Sequence, residues 1–283
     1  MRELTATKVF EGLVFGEGIR WHDGKLWVSD MFGHRVLTID GDGRDETILE
    51  VPYRPSGLGF LPDGGLLVVS MQDRKLLKVS NGEVSEYASL KPDATGDVND
   101  LVVLPSGDAY AGNFGFDLFG GSEQPCDTCI QRVAADGSVT RVADQLSFPN
   151  GMVVTPDGKT LIVAETFAHR LTAFTIAPDG GLGERRVFAE LGDRMPDGIA
   201  LDAELAVWVS SFGTGEFVRV VEGGEVTHRV KPAPNAVTCT LGGPDRRTLY
   251  MVAADTEIER LAKGDSKAWV VKTRVEVPGA GWP

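Results

Sequence analysis

The stretch Gly151-Met152-Val153-Val154-Thr155-Pro156-Asp157-Gly158-Lys159-Thr160-Leu161-Ile162-Val163-Ala164 is an apolar run, a Pro-Asp-Gly turn and a second apolar run. Runs of this length, rich in β-branched residues and joined by so tight a turn, read as two antiparallel strands. The same unit recurs along the chain. Gly18-Ile19-Arg20-Trp21-His22-Asp23-Gly24-Lys25 and Gly57-Leu58-Gly59-Phe60-Leu61-Pro62-Asp63-Gly64 open two earlier copies. Leu101-Val102-Val103-Leu104-Pro105-Ser106-Gly107 and Gly198-Ile199-Ala200-Leu201-Asp202 open two more. A degenerate copy runs from Ala236-Val237-Thr238-Cys239-Thr240-Leu241 through Gly242-Gly243-Pro244 to Leu249-Tyr250-Met251-Val252-Ala253.

Third strands are expected at residues 35–40, 75–80, 130–134, 170–176 and 217–221, and fourth strands after a further turn, as at residues 46–51. The period is about 40–50 residues, and fixed-period self-similarity of this kind is the signature of a repeat architecture. No segment shows a sustained helical stripe. Six copies of four antiparallel strands imply an all-β fold, a six-bladed β-propeller formed by residues 1–283 as one domain. A β-sandwich is the alternative, but sandwiches do not repeat one turn at this period. The last copy lacks a fourth strand after residues 269–277. Residues 6–10 can fill that place, which would close the ring and cover two exposed sheet edges.

Composition agrees with many short elements. There are 35 glycines and 15 prolines in 283 residues, against an average glycine usage of ~7%. A formal net charge of −13 repels phosphate backbones and anionic lipid, which argues against nucleic acid or a membrane surface as partner. The residues from Met1 to Lys8 contain no apolar run of signal-peptide type, and no stretch approaches the ~20 apolar residues of a membrane span. Three cysteines make no disulfide framework, so the expected setting is cytoplasmic.

In a propeller, the residues just before each innermost strand converge on the central axis. Here they are Glu17, Ser56, Asn99, Asn150, Asp197 and Asn235. Glu17, Asn99, Asn150 and Asp197 offer good oxygen ligands. Two carboxylates near one axis repel each other, and a divalent cation resolves that repulsion. An all-oxygen set suits hard cations such as Ca²⁺, Mg²⁺ or Mn²⁺. Asn and Asp before Gly are also ordinary turn residues, so the argument rests on their equivalent positions in the repeats.

Gly16-Glu17-Gly18 with Trp21 downstream, Asn99-Asp100, Phe148-Pro149-Asn150-Gly151 and Pro196-Asp197-Gly198 resemble the motifs of the SMP-30/gluconolactonase family, over residues 15–279. This family includes sugar lactonases and relatives of diisopropylfluorophosphatase. The resemblance implies a six-bladed propeller with one divalent cation (Ca²⁺, or Mg²⁺, Mn²⁺ or Zn²⁺) held by Glu17, Asn150 and Asp197. It further implies hydrolysis of a small-molecule lactone, with the cation polarising the carbonyl. Asp197 would be the catalytic base, helped by metal-bound water, and Glu17 would mainly neutralise charge. Asn99 would orient substrate. Asp100 would join it at the substrate or stand behind the ligands; it reads equally as a buried acid accepting backbone N–H groups. Sugar-specific members often carry Arg two residues before the channel Asn. Asp97 stands there in this chain, so glucono-type specificity is not implied. Organophosphate hydrolysis on the same site and a non-catalytic binding scaffold are the competing readings.

A long segment, residues 113–129, stands where other copies have short turns, and it carries Phe114, Phe116, Leu118 and Phe119. Loops of this length are usually functional. It is expected to line or cover the pocket, with Phe114 and Phe116 contacting substrate and favouring a less polar lactone. Cys126 and Cys129 in the same segment form a lone C-x-x-C, which is incomplete as a zinc site. His34 and His169 recur in equivalent turns and read as structural. Gly-x-Ser-x-Gly is absent, so a serine hydrolase of the α/β type is excluded.

Overall fold

The structure, a computed structural model, describes residues 1–120 and 124–281. Residues 121–123, in the middle of the long segment, lie outside the described residues. The strands form six antiparallel blades arranged as a propeller. Blade one runs outward from the axis as Gly16–His22, Lys25–Asp30, Arg35–Ile39 and Asp45–Glu50. Blade two is Pro55–Phe60, Leu66–Ser70, Lys75–Ser80 and Glu83–Ser89, and blade three is Val98–Val103, Ala109–Asn113, Thr128–Val133 and Val139–Leu146. Blade four is Pro149–Val154, Thr160–Glu165, Arg170–Ile176 and Leu182–Glu190, and blade five is Met195–Leu201, Val207–Phe212, Glu216–Val220 and Val226–Val230. Blade six takes Asn235–Gly242, Thr248–Asp255 and Lys267–Arg274 from the C-terminal part of the chain and its outer strand, Thr7–Leu13, from the N-terminal part.

The strand chemistry follows the radius. Inner strands such as Pro55–Phe60, Val98–Val103 and Pro149–Val154 are buried along their whole length, which is why they read as continuous apolar runs rather than alternating ones. Outer strands such as Glu83–Ser89 are largely exposed and carry the charge. The six inner strands touch in a closed cycle, blade one against two and so on to six against one. Glycine permits that approach. Gly18 has φ +55°, and a Cβ there would stand 2.3 Å from the Ser56 carbonyl oxygen of the next blade. A Cβ at Gly151 would meet the backbone nitrogen of Ile199 at 2.6 Å.

Closure by the N-terminal strand is present: Thr7–Leu13 pairs antiparallel with Lys267–Arg274, Phe10 opposite Val270. The chain does more than expected before that point. Arg2–Glu3 adds in parallel to the outer edge of blade five, with Arg229 Nε donating to Glu3 Oε1 at 2.8 Å. The first residues therefore cover the edges of two successive blades. Among the described residues, helix is confined to single turns at Thr166–Ala168 and Ile258–Leu261. Among the described residues no helix is long and apolar enough to cross a membrane.

Candidate active site

The six residues read as converging on the axis do not precede the inner strands. The strands begin one or two residues earlier in five blades, and in the sixth Asn235 is itself the first strand residue. The reason is a β-bulge in every inner strand. Pairing shifts register between Glu17 and Arg20, Pro55 and Leu58, Val98 and Leu101, Pro149 and Met152, Pro196 and Ile199, and Ala236 and Thr238. The apolar pattern picks up only the regular ladder beyond the bulge. A bulge re-aims side chains and twists the strand, and repeated six times it places one polar residue per blade at the hub.

These six then divide. Asn235 is held by its own blade and by blade five, since its amide donates to the Thr256 carbonyl at 2.6 Å and its Oδ1 accepts from Gly213 N at 2.9 Å. Ser56 is buried and lines no pocket over the hub. Glu17, Asn99, Asn150 and Asp197 form the floor of one pocket containing about 590 Å³ of open space. Each is buried, Asp197 at 6% exposure and Asn99 at 2%. Asn150 Nδ2 donates to Thr166 Oγ1 at 3.2 Å, and that hydroxyl donates to the Pro196 carbonyl at 2.7 Å. The one-turn helix that carries Thr166 therefore orients the Asn150 amide.

The floor is electrostatically unbalanced. Burial pushes the Glu17 carboxyl well above the usual carboxylate range, and repulsion from Asp197 and Asp100 pushes it further. Burial does the same to Asp197, with a hydrogen bond from the Asn150 side chain opposing the rise and repulsion from Asp100 adding to it. Asp197 Oδ1 is buried with no hydrogen-bond partner. A buried orphan acceptor costs about 1–3 kcal/mol, and an ionised one more, so a cation or donor at this atom would be stabilising. A hard divalent cation fits this set: two carboxylates to balance its charge and two amides to supply neutral oxygens. Among the described residues no three His, Cys, Asp or Glu side chains gather as a metal site, so any cation at the hub depends on the amides.

Asp100 and Phe116 sit apart from the pocket lining. The Asp100 carboxylate lies beneath the floor, where Arg20 Nη2 donates to Oδ1 at 2.9 Å and Leu101 N donates at 2.8 Å. Arg20 also donates to the carbonyls of Leu101 and Ile19. It closes the floor from below, and a separate cleft with Trp21, Leu241 and Arg246 opens on its far side. Sequence reasoning missed Arg20. The signal was there: it occupies the column held by Gly59, Val153 and Ala200 in other copies, and is the one charge in it.

Phenylalanine rings make the wall. Phe114 stacks on Phe148 at 4.5 Å between centroids, Phe148 lies 4.8 Å from Phe167, and Phe15 meets Phe212 edge-on at 6.4 Å. Phe119 and Leu118, also from the long segment, complete that side. Phe116 packs behind, against Phe148 and Phe167. The Arg54 guanidinium lies 4.3 Å from the Phe32 ring centroid and 4.9 Å from that of Phe119, bracing the wall from outside the pocket. Burial raises the pKa of Asp97, and the Arg54 charge opposes that rise.

A family model settles the kinship. The SMP-30/gluconolactonase/LRE-like region matches residues 15–255. The chain belongs to this family. Among curated proteins it is similar to the 6-deoxy-6-sulfogluconolactonase of Pseudomonas putida, with 27% identity over 100% of this chain and 99% of that one. It is similar also to the pentonolactonase of Haloferax volcanii, 27% identical over 89% and 86% of the two chains. Among solved structures, the calcium-binding protein regucalcin from Agrobacterium tumefaciens superposes with TM-score 0.83 at 23% identity, over 100% of this chain and 98% of that one, a likeness of fold. The Xanthomonas campestris gluconolactonase superposes with TM-score 0.74 at 25% identity, over 96% and 89%.

The remaining polar candidates stay outside this pocket. His34 and His169 take left-handed φ values of 56° and 54°, and each ring Nδ1 donates to a carbonyl, Pro52 at 2.9 Å and Arg194 at 3.0 Å. Among the described residues no histidine lines the pocket. Cys126 and Cys129 are both free thiols, one exposed and one buried.

Proposed function

We propose that this chain hydrolyses a lactone, with one divalent cation held by Glu17, Asn150 and Asp197 at the floor of the pocket. The observation that carries the reading is the unpartnered Asp197 Oδ1 beside a second buried carboxylate. Relatives bearing lactonase names support the substrate class. When bound, the cation supplies a Lewis acid for the carbonyl oxygen and for the negative charge that develops there.

The residues of the chain do the rest. Asn99 orients the ring ester over the floor, its Nδ2 loosely tied to the Pro149 carbonyl at 3.4 Å. Asp197 takes a proton from the attacking water, for which an oxygen free of other hydrogen bonds is needed. Glu17 balances charge. The water oxygen bonds to the carbonyl carbon, the ring C–O bond breaks, and the departing oxygen is protonated. The product is a hydroxy acid, which releases one proton at neutral pH. The wall excludes bulk water, so these polar interactions act in a low-dielectric space.

The test is acid release from a panel of lactones after dialysis against chelator, followed by separate addition of Ca²⁺, Mg²⁺, Mn²⁺ and Zn²⁺. Activity lost on chelation and restored by a cation supports the reading. Lactone hydrolysis indifferent to chelator removes the cation from it, and no turnover of any lactone with cation bound removes the hydrolase.

A further inference from the structure

Among the described residues, the polar groups of the pocket lie on its floor. Glu17, Asn99, Asn150 and Asp197 line it at the hub, and the Thr166 hydroxyl is committed to Asn150 and the Pro196 carbonyl. Above them the lining is Phe, Met, Leu and Ile. Among the described residues, no side chain in that wall can accept from or donate to a hydroxyl. Arg54 does not line the pocket; its guanidinium lies 4.3 Å from the Phe32 ring centroid and 4.9 Å from that of Phe119.

We infer that the substrate is a lactone whose ring carries an apolar substituent, alkyl or aryl, and not a polyhydroxylated sugar lactone. This rests on the lactonase reading and adds the substrate class. The ester group is small and polar and matches the floor. Whatever is attached to the ring lies against phenylalanine, Met31 and Met195. Hydroxyls placed there lose their water and gain no partner, which is costly. Methylenes placed there are transferred out of water into a close-fitting apolar surface. Met31 and Met195 let the wall adapt to chains of different shape. The edge-to-face pairs Phe15–Phe212 and Phe114–Phe119 suit an aryl group as well as an alkyl one.

The experiment compares kcat/KM for δ-lactones sharing one ring: glucono-δ-lactone, unsubstituted δ-valerolactone, δ-decalactone and dihydrocoumarin, each with saturating cation. The expected order puts δ-decalactone or dihydrocoumarin at least ~10-fold above glucono-δ-lactone, the low end of what one methylene contributes in a hydrophobic pocket. Glucono-δ-lactone equal or better overturns the inference and leaves the lactonase reading intact. A binding arm is independent of turnover. The alkyl-substituted δ-lactam is titrated calorimetrically against its polyhydroxylated analogue. Tighter binding of the alkyl lactam by ~10-fold or more supports the inference even if no lactone is turned over, and the opposite order overturns it. Phe119 and Phe212 are only half-buried, so F119N and F212S are expected to fold. Each should narrow the alkyl-to-sugar ratio several-fold; an unchanged ratio in both counts against the wall as its origin.

Discussion

Arg20 Nη2 donates to Asp100 Oδ1 at 2.9 Å, and both side chains are only 7% exposed beneath the hub. The pair joins the inner strands of blades one and three and supports the floor on which Asn99 stands. Removing one partner leaves a buried charge uncompensated, whereas removing both does not. R20M is therefore expected to lower unfolding free energy by ~3–5 kcal/mol, and R20M/D100N to recover most of that. Denaturant titration of the two variants checks this. Additive losses would show that the pair is not coupled.

Asp197→Asn keeps the size and burial of the side chain but removes the base and one ligand charge. Turnover is expected to fall by about 10²–10⁴-fold, the range attributed to positioned acid–base groups. The thermal midpoint of the chelated protein should not fall, since a buried charge has been deleted. Full retained activity would take Asp197 out of its assigned role.

The raised pKa of Glu17 makes stability depend on pH in a defined direction. Its ordinary value is 4.5, and the folded protein without cation holds the proton more tightly because of burial and the neighbouring Asp197 and Asp100. The folded state then binds more protons than the unfolded state from about pH 4.5 upward to the raised value, and this group's contribution to stability falls as pH rises through that window. In chelator at neutral pH, Glu17→Gln should melt higher than the native chain, and the gap should close as pH drops toward 4.5. With saturating cation the order should reverse. Scanning calorimetry at several pH values, with and without cation, measures this.

The three thiols should differ in reactivity. Cys126 is exposed, whereas burial raises the pKa of the Cys129 thiol and pushes that of Cys239 up to about 12. The thiolate is the reactive form. A disulfide reagent at pH 8 should therefore modify one thiol quickly in the native protein and all three only after unfolding. Rapid modification of Cys239 would contradict its placement between the inner strands of blades five and six.

The fold was legible because a propeller writes its period into the chain: each blade buries its inner strands on both faces and turns them at the same place. The hub residues were legible for the same reason, each standing beside a glycine or at the head of an apolar run. Their bulges were not, since a register shift is a property of two strands and leaves no mark in one. The pocket wall was half legible. Phe114 and Phe119 were signalled by an unusually long segment, but Phe15 comes from a connection, Phe212 from a strand end and Ile258 and Leu261 from a single helical turn, and they meet only when the ring has closed. Thr166 was hidden in a helical turn too short to leave a period. The parallel pairing of Arg2–Glu3 with blade five rests on backbone hydrogen bonds and the Glu3–Arg229 ion pair, neither of which shows as an apolar pattern.

The most direct measurement is the anomalous density of crystals grown with Mn²⁺, or with Ca²⁺ at long wavelength. One peak is expected at the hub, with oxygens of Glu17, Asn150 and Asp197 at roughly 2.1–2.6 Å, the range for hard cations and oxygen ligands. A hub without density at saturating cation, or these three side chains turned away from one another, would contradict it.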